Sequence, residues 1–417
     1  MYYLKWTAGL LAAMLLWLAI SVYGGLSGWW LSAIAPAGDT AAFTRALGEK
    51  LHAEKRGNTA LVLIENGEVV AQDFSASVDT IDQDTLFPLA SASKLLAAYG
   101  VLSLVESGAL ALDAPVSQYL TRWQLPDSEF DNNKVTVRRL LSHTAGLTDG
   151  LGFDDYKADE SVPTLEESLA NPRASRGEKT IEVGLEPGSE WKYSGGSYLL
   201  LELLVEETSG MSFERWMQQA VFDPLGMRRA TYAYLADQDS ISYSYDTSGQ
   251  RAPLYRYASA AATGLSASTD DLVKFATALA RPGSAPQPAL GAASVDLLRQ
   301  PLGYQLGAAI WGPGAMLYAP TGDDFVFGHD GSNEPAINSA LRVNPANGDA
   351  IVVLSTGRAF LASSLAYEWT LWQTGYPDFF AFDTALSSAV TPALFGLAVI
   401  LVVFVALLVR RRRRVHN

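Results

Sequence analysis

Ser91 and Lys94 stand three residues apart in the stretch 86–100, LFPLASASKLLAAYG, where every other residue except Ser93 is apolar or small. On a helix, residues three apart share a face. At a helix start the serine N–H belongs to the first turn, whose amides lack intrahelical partners. A lysine one turn later, among Leu95, Leu96 and Ala97, would be buried. Burial disfavours an ammonium ion, and a neutral lysine can take the proton of a neighbouring hydroxyl. The pair could therefore be a nucleophile and its base. The same spacing also fits a capping serine and a solvent-facing lysine, and it recurs at Ser189 and Lys192. That second copy follows Pro187-Gly188 and reads as non-helical.

The elements that must hold such a pair can be read in outline. Asp39-Thr40 would cap a short helix with Phe43, Leu47 and Leu51 on one face. The run ALVLIENGEVVAQDF (60–74) is two apolar strands joined at Asn66-Gly67, the residue pair favoured in two-residue hairpins. A second hairpin is written at 337–357, turning around 345–348. Between them, residues 91–300 read as mostly helical, with helical periods at 199–208, 213–221 and 269–280. One antiparallel sheet assembled from both chain ends, with a helical lobe inserted, makes an α+β domain with a cleft between layers.

Composition narrows the chemistry. The chain has no cysteine, which excludes disulfides, thiolate metal sites and a cysteine nucleophile. His52, His143, His329 and His416 are scattered, so neither a metal site nor a cofactor is expected. The formal charge is −14, with 44 acidic residues against 30 basic ones. Five of those basic residues are the consecutive arginines 410–414. The body is strongly acidic, which argues against nucleic acid as a partner.

The arginines follow 21 uncharged residues, 389–409, a length that spans a bilayer. The order predicts a transmembrane helix with a cytoplasmic basic tail. Residues 6–35 are also uncharged, longer than a secretory signal's apolar region, and favour an uncleaved anchor over a cleaved signal. The expected organisation is a membrane anchor over 1–37, an extracytoplasmic domain over 38–380, and a membrane helix with its tail over 381–417.

Five segments, in order, resemble the serine β-lactamases and penicillin-binding proteins, and most closely the class C β-lactamase-related group with its D-amino-acid peptidases and esterases. They are FPLASASK (87–94), VTVRRLLSHTAGL (135–147), the stretch 185–227 opening LEPGSEWKYSGG, AATGLSASTDDLVKFATAL (261–279), and FGHDGSNEPAINSALRVNPANGDAIVVLST (327–356). The resemblance implies a β-lactamase/transpeptidase-like fold flanked here by transmembrane helices. It implies Ser91 as acylated nucleophile, with Lys94 and Tyr193 moving protons. The backbone N–H groups of Ser91 and Ser332 would form an oxyanion hole. His329, Asp330 and Gly331 would line the cleft as the family's Lys-Thr-Gly strand does, and His143 would be structural.

Two departures stand out. Gly195 occupies the position of the asparagine in the family's Tyr-x-Asn, and His329 that of the strand lysine. Gly195 offers no side-chain amide, and an unperturbed histidine is largely neutral at pH 7. Both changes weaken a site for β-lactams and leave esters or peptides, including D-amino-acid or cell-wall-derived ones, as the expected substrates. Two readings stay open: a membrane-anchored serine hydrolase with weak or no β-lactamase activity, and a non-catalytic protein that binds a small molecule or peptide in a degenerate cleft. Neither a Gly-x-Ser-x-Gly elbow nor a Walker loop occurs in the chain. The acidic loop 149–160 reads as solvated surface.

Overall fold

The structure, a computed structural model, describes residues 2–77, 80–151, 153–171, 173, 176–177, 179–235, 241–283 and 290–415. The chain opens with a 25-residue helix, Tyr2–Leu26 (α1). Thr40–Glu54 (α2) starts where the Asp39 carboxylate accepts the Ala42 N–H, satisfying a first-turn donor. Its Phe43, Leu47 and Leu51 are fully buried on one face, the spacing read from sequence. Thr59–Glu65 (β1) and Glu68–Ser75 (β2) form the expected hairpin. Asn66 and Gly67 take φ of 52° and 82°, the positive pair that a two-residue turn needs.

The inserted lobe holds three long helices: Ser93–Glu106 (α3), Gly196–Ser209 (α4) and Thr269–Ala280 (α5). α3 is apolar all round because it is buried all round. The chain then returns through Gly303–Gln305 (β3), Ala308–Trp311 (β4), Met316–Thr321 (β5), Asp324–Asn333 (β6), Ile337–Asn344 (β7) and Asp349–Ser355 (β8). The result is one antiparallel sheet of eight strands, in the order β2-β1-β8-β7-β6-β5-β4-β3. β1 pairs with β8, Val62 facing Val352, so strands from the two chain ends do meet within the sheet. The sheet covers more chain than the two hairpins read from sequence; β3, β4 and β5 are short and broken by Gly307, Gly312, Pro313 and Gly314.

Leu361–Thr374 (α6) lies with α2 on one face of the sheet, where Leu61, Leu63 and Val353 meet Leu365 and Trp369. The other face, with Val62, Phe327 and Leu341, packs on the lobe through residues such as Leu96 of α3. Strand alternation makes these two cores possible, since successive side chains point to opposite faces.

The last helix, Val390–Val415 (α7), packs along α1. The Trp17 indole donates to the Pro392 carbonyl at 3.1 Å, and the Trp6 and Phe404 rings lie 6.2 Å apart. Both helices are long and apolar enough to cross a membrane. Their outward side chains, among them Leu15, Leu16, Phe395 and Val402, are exposed. The side chains of the basic tail past Arg411 lie outside the described residues.

Candidate active site

Ser91 sits in a tight turn, Ala90–Ala92, immediately ahead of α3. Ala90 has φ 49°, a conformation that L residues adopt rarely and that costs about 1–3 kcal/mol. Neighbours hold the turn from three directions. The Ser339 hydroxyl of β7 donates to the Leu89 carbonyl at 2.6 Å. The Ser93 hydroxyl donates to the Ala90 carbonyl at 2.7 Å and accepts the Leu265 N–H. Gly331 of β6 comes so close that a Cβ there would collide with the Leu89 carbonyl. Ser93, which lies between the pair in sequence, is thus wholly committed to the backbone.

Lys94 Nζ lies 3.4 Å from Ser91 Oγ, and the Tyr193 hydroxyl lies 3.1 Å from the same oxygen. Lys94 is 0% exposed. Its ammonium nitrogen also donates to the Ala262 carbonyl at 2.8 Å and faces the rings of Tyr193 and Tyr198 at 5.1 and 5.4 Å. The local pair Ser91 and Lys94 and the distant Tyr193, 102 residues from Ser91, are therefore brought together in one polar cluster.

The Tyr193 segment is fixed from behind. His143, with φ 56°, is buried; its carbonyl accepts the Lys192 N–H at 2.8 Å and its Nδ1 accepts the Ser194 N–H at 3.1 Å. Burial, then the charge of Lys94, holds its pKa well below the usual value. Asp149 accepts from the Ser194 hydroxyl at 2.6 Å and from the Gly196 N–H at 2.9 Å. It anchors the start of α4 and is buried, so the loop 149–160 is not solvated surface at its first residue.

A cavity of about 570 Å³ opens beside the cluster, lined on one side by Ser91, Tyr193, Asp330, Gly331 and Ser332. β5 pairing on β6 ends at Met316 opposite Gly328, so Ser332 lies on a stretch where β7 is the only sheet strand paired with β6. That leaves an open strand edge next to Ser91.

Two residues expected on the cleft wall are absent from this lining. His329 is 0% exposed; its ring packs on Trp311 at 5.3 Å and its Nδ1 lies 2.6 Å from the Asp330 carbonyl. Burial, with the Lys94 charge, lowers its pKa to about 3, so it carries no charge near neutrality. Strand alternation turns residue 329 inward where 330 faces the cavity. Gly195 is buried beneath the next loop: its N–H donates to the Gly150 carbonyl at 2.6 Å, and any side chain would collide with the Leu151 carbonyl and the Phe153 ring. The loop after Asp149 fills the space a longer residue would need.

Asp330 is not a free cleft residue either. It accepts from Tyr318 Oη at 2.8 Å and from Arg342 Nη2 at 2.8 Å. Arg342, 1% exposed, donates in turn to Asp378 and to Thr370 Oγ1, and its guanidinium stacks on the Tyr318 ring at 3.8 Å. Burial works against the guanidinium charge, but Asp330 and Asp378 outweigh it and raise its pKa. Burial also raises the Asp378 pKa against the pull of Arg342. Asp330, Arg342 and Asp378 all border the cavity. Two carboxyl groups already occupy the one guanidinium, so this wall has no spare cation.

A profile of the β-lactamase family matches residues 43–371, most of the chain. The chain belongs to the β-lactamase family. Penicillin-binding protein 4* of Bacillus subtilis (strain 168) is 29% identical over 188 residues, covering 44% of this chain and 40% of that protein. Esterase EstB of Burkholderia gladioli is 29% identical over 213 residues, 45% of this chain and 49% of that one. This β-lactamase-family chain thus spans half or less of the length of those two relatives. The solved octameric penicillin-binding protein homologue from Pyrococcus abyssi shares its fold, with a TM-score of 0.66 at 23% identity over 80% of this chain and 76% of that one.

Sequence reasoning missed one further residue near the cluster. Glu202 of α4 accepts from the Ser259 hydroxyl at 3.1 Å and the Ala261 N–H at 3.0 Å. It thereby holds the helical turn Ala260–Gly264, whose Ala262 carbonyl meets Lys94. Burial pushes its pKa up to about 8. Its only signal was a charge inside an apolar helix run, LLLELLV.

Proposed function

We propose that this protein is a membrane-anchored serine hydrolase that acts through an acyl-enzyme on uncharged esters or amides. The observation that carries the reading is the convergence of Lys94 and Tyr193 on one hydroxyl, that of Ser91, at the edge of a cavity. In this reading Ser91 Oγ attacks the carbonyl carbon and its proton passes to the Lys94–Tyr193 pair. The N–H groups of Ser91 and Ser332 steady the oxyanion, and the relayed proton leaves with the alcohol or amine. Water then attacks the acyl-serine by the reverse route, releasing a carboxylic acid.

The lack of a spare cation on the Asp330 wall supports uncharged substrates. A substrate carboxylate buried there would go unpaired, a cost of the kind that strongly disfavours binding. Poor turnover of β-lactams, which carry such a group, is part of the proposal. The exposed apolar sides of α1 and α7 support two membrane spans, since soluble proteins rarely leave such continuous apolar surface in water. With the arginine run cytoplasmic, the domain over 38–380 lies outside the cytoplasm, between an anchor at 1–37 and a membrane helix and tail at 381–417.

A labelled fluorophosphonate tests the mechanism. It should mark the wild type covalently and leave Ser91→Ala unmarked; equal marking of both removes Ser91 from its role. The filling of the Gly195 site by Leu151 and Phe153 favours a second reading, a cleft that binds without turnover. That reading predicts no covalent mark on either protein, with saturable ligand binding to both.

A further inference from the structure

A second cavity, of about 480 Å³, lies against the first at the foot of the membrane helices. Its walls are almost wholly apolar: Leu26 at the end of α1, Ala308 and Ala309 of β4, Phe325, and Phe382 and Ala385 ahead of α7. The size is that of a ligand pocket, roughly 300–1,000 Å³. Asp378 borders both cavities. Phe380 lines the first cavity, and its ring stands 5.8 Å from those of Tyr318 and Phe379, which line the second. Phe380, itself exposed, and the shared Asp378 therefore mark the boundary between the Ser91 cavity and an apolar chamber whose floor includes Leu26 at the end of α1 and Phe382 and Ala385 just ahead of α7.

The placement matters because α1 and α7 fix where a bilayer surface would lie. α1 reaches its end at Leu26, where Gly25 abuts the Ala385 carbonyl. The chamber thus sits at the level where the hydrocarbon core gives way to headgroups. Tyr23, Trp29, Tyr376 and Phe380 are exposed around that level, as aromatic side chains are at membrane interfaces. A small soluble ester needs no such chamber, and its leucine, alanine and phenylalanine side chains suit an apolar chain better than a polar peptide.

We infer that the substrate is a membrane-resident amphiphile, an ester of a long-chain acid, whose acyl chain occupies the apolar chamber while its carbonyl lies at Ser91. The inference rests on the hydrolase reading for its chemistry and adds the substrate class. The reaction balances as ester plus water giving a long-chain acid and an alcohol. Ser91 Oγ forms the new bond to the acyl carbon, the ester C–O bond breaks, and the alcohol takes the serine proton. Water then restores Ser91. The self-paired wall at Asp330–Arg342–Asp378, with no spare cation, suits an uncharged ester head, and the acid product gains a charge that this wall disfavours, which promotes its release.

Full-length protein in phosphatidylcholine vesicles, given p-nitrophenyl acetate and p-nitrophenyl laurate, tests the substrate class. Ala309→Phe should fill the chamber from β4 and lower the laurate-to-acetate ratio of kcat/KM at least tenfold. Ala308→Trp, on the same partly exposed strand, should do likewise and guards against misfolding of the first variant. A ratio unchanged in both overturns the inference while leaving the hydrolase reading intact. A second measurement stands apart from turnover: an ester of diazirine-bearing lauric acid added to Ser91→Ala should crosslink through its acyl chain to peptides within 306–320 or 376–385. Crosslinks confined to other segments overturn it. Crosslinks at those segments with an unchanged ratio mean that the chamber holds a structural lipid, which overturns it as well. Turnover of neither ester by the wild type, with crosslinks at the chamber, refutes the hydrolase reading and with it the assignment of the lipid as substrate.

Discussion

The two walls of the Ser91 cavity differ in what surrounds their charges. On the α3 wall, Lys94 has a carbonyl, two aromatic rings and one hydroxyl around it, and no carboxylate within ion-pair distance in the described residues. On the β6 wall, Arg342 is clamped between Asp330 and Asp378. One buried cation has no carboxylate partner among the described residues and touches a hydroxyl; the other is held by two carboxyl groups. In the proposed enzyme, then, the first wall would decide the reaction and the second would decide the substrate. The side-chain partners recorded for Ser91 Oγ are Lys94 and Tyr193, so in the proposed enzyme the residues at Gly195 and His329 would bear on the substrate rather than on the nucleophile.

Removing the proton pathway is the severest test of the first wall. Lys94→Met and Tyr193→Phe should each lower kcat for p-nitrophenyl acetate by about 10²–10⁴-fold, the range for a positioned acid or base. The double variant should fall little further than the worse single one, because groups that act as a unit are not additive. Full additivity in steady-state kinetics would show that the two residues work separately and would break the view of this wall as one device.

The contrast between the walls was only half legible beforehand. The α2 face, the Asn66-Gly67 turn and the span of α5 depend on local periodicity and caps, which sequence records directly. Ser91, Lys94 and Tyr193 could be singled out because their neighbours match a family pattern, though spacing alone left the Ser-x-x-Lys pair ambiguous. The inward turn of His329 was hidden: its facing depends on the register of β6 against β7, with Gly331 opposite Ser339. Arg342 and Asp378 are 36 residues apart and meet only across the sheet and α6. Glu202 and Asp149 likewise gain their meaning from backbone amides brought in by other segments. The strands β3 to β5 escaped notice because glycine and proline interrupt them, erasing the alternation that marks a strand.

On the second wall, Arg342→Met should destabilise the fold by about 3–5 kcal/mol, since it strands two buried carboxyl groups. Thermal unfolding of the detergent-solubilised full chain measures it. Asp378→Asn should cost less, because Arg342 keeps Asp330 and Tyr318. If Asp378→Asn costs as much as Arg342→Met, the two carboxyl groups do not share the guanidinium and the account of this wall as a closed network breaks.

His329 offers the finest distinction, because it belongs to the substrate wall by sequence but to the core by packing. Its pKa is lowered to about 3 in the fold, by burial first and then by Lys94, against about 6.5 in an unfolded chain. A depressed folded value means that the unfolded chain binds the proton first. The stability is therefore complete above about pH 6.5 and is lost as pH falls toward 3. His329→Gln removes that proton uptake, so the variant's stability should fall less steeply through this window, by about 1.4 kcal/mol per pH unit near pH 5. His143, shifted in the same direction, keeps part of the slope. Stability measured at pH 7.5 and at pH 5 for both proteins isolates the difference. An identical pH slope in wild type and variant would mean that His329 is solvated rather than buried, which would return it to the cleft.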